Sequence, residues 1–320
     1  MKRFFALALL LITSAVAAQD YPSKPINIIV PAAAGGPTDT LTRVLAQAMG
    51  ESLKQQMIIE NVGGAGGTIG INRAAKAKPD GYTLLLYHIG MATSPALYRK
   101  LPYDTLNDFE YIGQVADVPM MMIAKKTTQA ANFAEFLAYA KANKEKLTYA
   151  NAGLGSASYL CGVLFMSAVD ASFTMVPYKG TGPAMNDLIG GQVDFMCDQT
   201  TNTVPQIKSG NVKAYGVTTP SRLASMPDMP TLAEQGLKGF DLVVWNGVFA
   251  PKGTPKPATD KLVAALQTVV QSPAFRTRLA DLGAEPVPVA KATPASLGTL
   301  LRAEVDKWGP IIRKTGTFAD

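Results

Sequence analysis

The run Ile26-Asn27-Ile28-Ile29-Val30, followed by Pro31-Ala32-Ala33-Ala34-Gly35-Gly36-Pro37-Thr38-Asp39, sets the architecture. A short, mostly apolar strand leads into a glycine turn. Beyond the turn, Leu41, Val44, Leu45, Ala48 and Met49 recur at helical spacing. The same order returns at once: Met57-Ile58-Ile59, then Gly63-Gly64-Ala65-Gly66-Gly67-Thr68-Ile69-Gly70, then Ile71, Ala74 and Ala75. Strand, glycine turn and helix, written twice, predict an α/β fold. Glycine lets the backbone adopt positive φ and approach a ligand closely, and N–H groups at a helix start favour an anion. Two such turns side by side therefore suggest a cradle for a carboxylate or phosphate; the plainer reading is a pair of tight turns with no ligand.

Further along, Tyr82 to Tyr87 reads as a buried strand, with His88 at its C-terminal end. Pro95 is expected to open a short helix. Phe109 to Val115 and Pro119 to Ala124 read as two further strands, the second carrying the chain into a new unit. That unit repeats the opening theme. A strand at Leu147 to Ala150 meets Asn151-Ala152-Gly153-Leu154-Gly155-Ser156, and a helix follows from Ala157. Met175 to Tyr178 is a strand ending in Lys179-Gly180-Thr181-Gly182-Pro183, and Val193 to Met196 is one ending at Cys197-Asp198. Strands at Val212 to Thr218 and Asp241 to Phe249 lead back to the first unit, and helices at Pro257 to Val270 and Ser296 to Thr315 close the chain. In open α/β sheets, ligands bind beyond the carboxyl ends of the strands. Two α/β units with facing glycine turns thus predict a hinged cleft.

The chain starts with Met1-Lys2-Arg3, an apolar run from Phe4 to Ile12, and Thr13-Ser14-Ala15-Val16-Ala17-Ala18. This is the pattern of a secretory leader, with cleavage expected after Ala17 or Ala18. The 320 residues suit two domains, and 48% hydrophobic with 17% charged residues describes a globular chain. Removal of Lys2 and Arg3 takes the net charge from +6 to +4. Basic residues are scattered without aromatic interleaving, which argues against nucleic acid. The cysteines, Cys161 and Cys197, are two in number in a chain that reads as exported. That favours a disulfide, with a pair of free thiols as the alternative.

An enzyme is the rival class, specifically a hydrolase or other enzyme acting on a carboxylated substrate. His88 is the sole histidine, so any Ser–His or Cys–His mechanism must use it. Ser156 misses the Gly-x-Ser-x-Gly elbow. The second glycine loop fails Gly-x-Gly-x-x-Gly, since its closing position is Ile69. Neither a cofactor motif nor a metal-ligand cluster appears, so no cofactor and no metal are expected. His88 reads equally as a hydrogen-bonded strand-end residue or a ligand contact. Lys179 suits a carboxylate or a solvated lobe edge. Tyr87 and Trp245 suit an aromatic ligand or the core. Asp198 repels an anionic ligand unless it accepts hydrogen bonds from an amine, a hydroxyl or backbone donors.

Taken in order, several motifs resemble those of the periplasmic solute-binding proteins of tripartite tricarboxylate transporters, the Bug proteins. They are Tyr21-Pro22-Ser23-Lys24-Pro25-Ile26, the two glycine loops, Pro79-Asp80-Gly81-Tyr82-Thr83-Leu84-Leu85, Val176-Pro177-Tyr178-Lys179-Gly180, Pro227-Asp228-Met229-Pro230-Thr231 with Glu234 and Gly236, and Ala250-Pro251-Lys252-Gly253-Thr254-Pro255. Ala32 departs from the family habit of a bulkier, aromatic residue in the first loop. The resemblance implies a two-lobed periplasmic-binding-protein fold, type II-like, with a hinged ligand cleft. The lobes would be 19–124 with 241–320, and 125–240, after a leader at 1–18. It also implies a monomer that hands a small carboxylate to the membrane components of such a transporter. One carboxylate is expected against Ala33, Ala34, Gly35, Gly36, Thr38 and Asp39 of the first loop and Gly66, Gly67 and Thr68 of the second. There the N–H groups of Gly35, Gly36, Gly66 and Gly67 would face it. The far end is expected near Ser156, Lys179, Thr181 and Asp198, with His88 beside it. A dicarboxylate fits both ends, aliphatic by family habit or aromatic if Tyr87, His88 and Trp245 flank the cleft.

Overall fold

The computed structural model describes residues 21–314 and 318–319. The leader expected over 1–18 lies outside the described residues. In chain order the first elements are β1 (Ile26–Val30), α1 (Pro37–Leu53), β2 (Met57–Asn61), α2 (Thr68–Ala75), β3 (Thr83–His88), α3 (Gly90–Leu97) and β4 (Phe109–Lys125). The middle of the chain forms α4 (Phe133–Ala142), β5 (Thr148–Asn151), α5 (Ala157–Val169), β6 (Thr174–Pro177), α6 (Thr181–Ile189), β7 (Phe195–Gln199), α7 (Thr200–Lys208) and β8 (Val212–Val217). The chain closes with β9 (Val243–Pro251), α8 (Lys256–Gln271), α9 (Pro273–Asp281), β10 (Glu285–Pro286) and α10 (Pro294–Lys314).

The strands form two sheet halves. In the first, β2, β1 and β3 run parallel, and β9 joins antiparallel to both β3 and β4. In the second, β7 and β8 pair antiparallel with the far end of β4, while β5 and β6 extend the sheet in parallel. The inner parallel strands β1 and β3 are buried on both faces, which is why they read as continuous apolar runs, whereas the edge strands β2 and β6 keep exposed residues such as Ile58. Along β1, Ile26 and Val30 are wholly inaccessible. Across it, α1 buries Leu41, Leu45, Ala46 and Met49 on one stripe.

The two strands expected at 109–115 and 119–124 are one strand of 17 residues. Register shifts between Tyr111 and Gly113, and between Gln114 and Ala116, let β4 bend without ending. Its pairing with β9 ends at Pro119↔Val243, and its pairing with β7 begins at Met120. The returning chain crosses beside it, since Leu242 donates its N–H to Thr218 of the second half at 3.2 Å. Two adjacent crossings make a hinge. Pro95 also differs from expectation: it lies inside α3, near the end of that helix.

The second half packs around aromatic rings. Phe136, Phe165, Phe173 and Tyr149 all meet Phe195 edge-on, with centroids 5.0–6.1 Å away. Beside this cluster Cys161 of α5 and Cys197 of β7 form a fully buried disulfide, with Cα atoms 6.1 Å apart. Among the described residues no helix is long and apolar enough to cross a membrane.

Candidate functional site

A cavity of about 250 Å³ lies between the two halves, walled by loops that follow β1, β2, β5 and β6 and by the last residues of β3 and β7. The residues that cap α1, α5, α6 and α7 at their N-termini are Gly36, Ser156, Gly180 and Gln199, and all four line it. Each helix start carries a partial positive charge and N–H groups with no intrahelical acceptor. Four of them directed at one small space favour an anion. Thr38 in the first turn of α1, and Ala157 and Ser158 in that of α5, bring such groups to the wall.

Both glycine loops of the first half are tied internally. Gly35 donates its N–H to Asp39 Oδ2 at 2.9 Å, Gly36 to the Ala33 carbonyl at 3.3 Å, and Gly67 to the Gly64 carbonyl at 2.9 Å. These three N–H groups, expected to face a ligand, are spent in shaping the turns. Asp39 also accepts from Arg43 Nε at 2.9 Å and Asn61 Nδ2 at 3.1 Å. Burial alone would raise its pKa; Arg43, the Gly35 N–H and Asn61 outweigh burial and hold it below the usual carboxylate range. In the second loop the Tyr98 hydroxyl donates to the Ala65 carbonyl at 2.6 Å, and the Tyr87 hydroxyl to that of Gly66 at 3.0 Å. The Thr68 hydroxyl donates to Ala65 as well, at 2.8 Å.

Of the expected site residues, Ala33, Gly36, Thr38, Gly66, Gly67, His88, Ser156, Lys179, Thr181 and Asp198 line the cavity. Ala34, Gly35, Asp39 and Thr68 do not; Gly35, Asp39 and Thr68 brace the loops from behind. Trp245 lies elsewhere. Its indole N–H reaches Glu304 at 3.2 Å, and it borders a separate groove along α10. Tyr87 does line the cavity. Sequence reading missed Tyr98, Ser158 and Gln199. Gln199 directly follows Asp198 at a strand end, so position alone was a usable signal for it. Tyr98 had none.

The halves touch through glycines. At Gly180, φ is +128°, and a Cβ there would lie 2.7 Å from the Ala33 Cβ. One on Gly66 would lie 2.7 Å from the Leu154 carbonyl oxygen, and Gly36 and Gly182 face each other closely enough that a Cβ on either lies within 3.7 Å of the other's nitrogen. The Thr93 hydroxyl bridges the halves by donating to Gly155 at 3.0 Å. Gly180→Ala therefore adds strain at a φ reserved for glycine and props the halves apart. Calorimetry should find ligand affinity weakened by about tenfold or more; unchanged affinity would show that this contact is not made when ligand is bound.

His88 stacks on Tyr87 with centroids 4.1 Å apart, and its Nδ1 accepts the Gly90 N–H at 3.3 Å. Burial depresses its pKa to about 3, so the ring is neutral with its proton on Nε2. Ser156 donates to the Gly153 carbonyl at 2.7 Å and accepts from the Tyr159 N–H at 3.2 Å, so it serves as a helix cap. Lys179 is exposed at the rim, whereas Asp198 is 1% exposed. Asp198 Oδ2 accepts from Asn202 Nδ2 at 2.6 Å. Burial raises its pKa to about 6, partly opposed by Asn202, the Gln199 N–H and Thr181.

Comparison with known proteins identifies the family. The family model described as tripartite tricarboxylate transporter family receptor matches residues 41–317. A protein encoded in the TAR-I ttuE-ttuC' intergenic region of Agrobacterium vitis is 49% identical over 93% of this chain and 87% of its own. The structure of the periplasmic binding protein BugD is 48% identical, with a TM-score of 0.90 over 93% of this chain and 99% of that one. MatC from Rhodopseudomonas palustris, solved with bound malate, is 39% identical, with a TM-score of 0.86 over 91% of this chain and all of that one. By family match, by identity across nearly its whole length and by its two-lobed fold, the chain belongs to the receptor family of the tripartite tricarboxylate transporters.

Proposed function

We propose that this protein captures a small dicarboxylate in the periplasm and delivers it to the membrane components of a tripartite tricarboxylate transporter, without transforming it. The carrying observation is the convergence of four helix N-termini, from both halves, on one small cavity. A volume of about 250 Å³ lies just below the usual range for drug-sized ligands, which favours a compact solute. Donors on both sides favour negative charge at both ends. The malate named with MatC supports the same class. The protein works as a monomer with lobes 19–124 plus 241–320 and 125–240, after a leader at 1–18 is removed. Ala33, Gly36, Thr38, Gly66 and Gly67 form one end of the site, and Ala34, Gly35, Asp39 and Thr68 support the two loops that carry it. His88, Ser156, Lys179, Thr181 and Asp198 form the other. The hydrolase reading has less support, because Ser156 donates its proton to Gly153 and His88 accepts from Gly90, leaving no Ser–His pair.

Calorimetric titration with matched mono- and dicarboxylates tests the reading. Each charge-assisted hydrogen bond is worth about 1.5–3 kcal/mol, so the monoacid should bind roughly tenfold more weakly or worse. Equal affinities would refute a second carboxylate site, and turnover of the bound acid would refute a purely binding role.

A further inference from the structure

One feature of the cavity is at odds with a plain dicarboxylate: a buried carboxylate of the protein's own. Lys179 and Asp198 are its charged lining side chains among the described residues, and they differ sharply in position. Lys179 stands in solvent at the rim, while Asp198 is 1% exposed at the end of β7. The groups around Asp198 are neutral: Asn202 donates to it at 2.6 Å, and the Gln199 N–H and the Thr181 side chain lie nearby. Thr181 lines the same cavity, and its hydroxyl oxygen is buried without a hydrogen-bond partner. A buried donor–acceptor left in that state costs free energy until something pairs with it.

Succinate and its longer homologues offer only acceptors. Set against Asp198 in a low-dielectric cavity, they meet repulsion. A hydroxyl on the ligand's carbon chain resolves both problems, because it donates one hydrogen bond and accepts another. We infer that Asp198 and Thr181 together read a ligand hydroxyl, so that the preferred solute is a hydroxylated dicarboxylate. The O–H donates to Asp198, and the hydroxyl oxygen accepts from Thr181. An ammonium group would also satisfy Asp198, but it would sit among the positive ends of α1, α5, α6 and α7, which disfavour a cation. This inference rests on the dicarboxylate reading of the cleft and assigns two residues to specificity within it.

Succinate, malate and aspartate share a four-carbon dicarboxylate chain and differ at one substituent, so calorimetry with the three isolates the effect. Wild-type protein should bind malate about tenfold more tightly than succinate. In Asp198→Asn, which keeps the shape and removes the charge, that preference should shrink below about threefold, chiefly because succinate gains. Thr181→Val should narrow it too, by weakening malate alone. Thermal melts of both variants establish that they are folded. Equal binding of succinate and malate by the wild type would overturn the hydroxyl assignment and leave the dicarboxylate reading standing. So would an unchanged preference in both variants, or tightest binding of aspartate. Binding of none of the three would overturn both.

Discussion

Replacing both Cys161 and Cys197 with alanine is expected to lower the free energy of unfolding by about 3–4 kcal/mol in the chain-entropy model. The two residues are 36 apart in sequence, so the bond closes a long loop in the unfolded chain. That loop holds the rest of α5 after Cys161, then β6, α6 and the start of β7. Loss of the bond should therefore fall on the second half, whose aromatic cluster around Phe195 sits beside it. Urea unfolding followed by tyrosine and tryptophan fluorescence measures the effect. Coincident midpoints for the wild type and the double variant would show that the bond adds nothing to equilibrium stability.

The second large effect runs the other way. Asp198→Asn should make the ligand-free protein more stable at neutral pH by about 2–3 kcal/mol. Burial raises the pKa of Asp198 from 3.8 to about 6. The native state therefore holds this proton more tightly than the unfolded chain does. Wild-type stability is accordingly undiminished by Asp198 below pH 3.8, declines as pH rises towards 6, and carries the full penalty above it. An asparagine does not titrate, so the gap between variant and wild type should be near zero at acid pH and largest at pH above 6. Urea midpoints of both proteins on either side of that window decide the matter. A gap that is independent of pH, or a variant less stable at neutral pH, would refute the account. A destabilising carboxylate in a binding cleft is the expected trade of stability for function.

Asp198 also shows where reading the chain reached its limit. Its place at the end of an apolar run, beside Cys197, marked it as a strand-end residue facing the cleft. Nothing local disclosed that it is 1% exposed, or that Asn202, one turn along α7, would be its partner. Helix α7 itself escaped notice. Thr200-Thr201-Asn202-Thr203 followed by Pro205 has no apolar stripe, and α7 buries its threonines against β4 and α1 instead. Where tertiary packing overrides propensity, periodicity is silent.

The sequence alone determined the α/β alternation, the two pairs of strand and glycine turn and the family, and it favoured the disulfide over free thiols. Each rests on local rules: apolar runs for strands buried on both faces, glycine where φ must be positive, and an even cysteine count in a chain whose start reads as a secretory leader. Tertiary structure decided which of those features reach the cavity. Asp39 claims the Gly35 N–H because Arg43 and Asn61 hold its carboxylate in place, so the donors left for a ligand are those of helix first turns such as Thr38 and Ala157. Trp245 turns away to Glu304, a residue 59 positions later. The bulges that carry β4 through both halves depend on its pairing with β9, a strand more than a hundred residues on. Such choices depend on partners distant in sequence, and a hydrogen-bonding group goes to whichever partner the folded chain brings within reach.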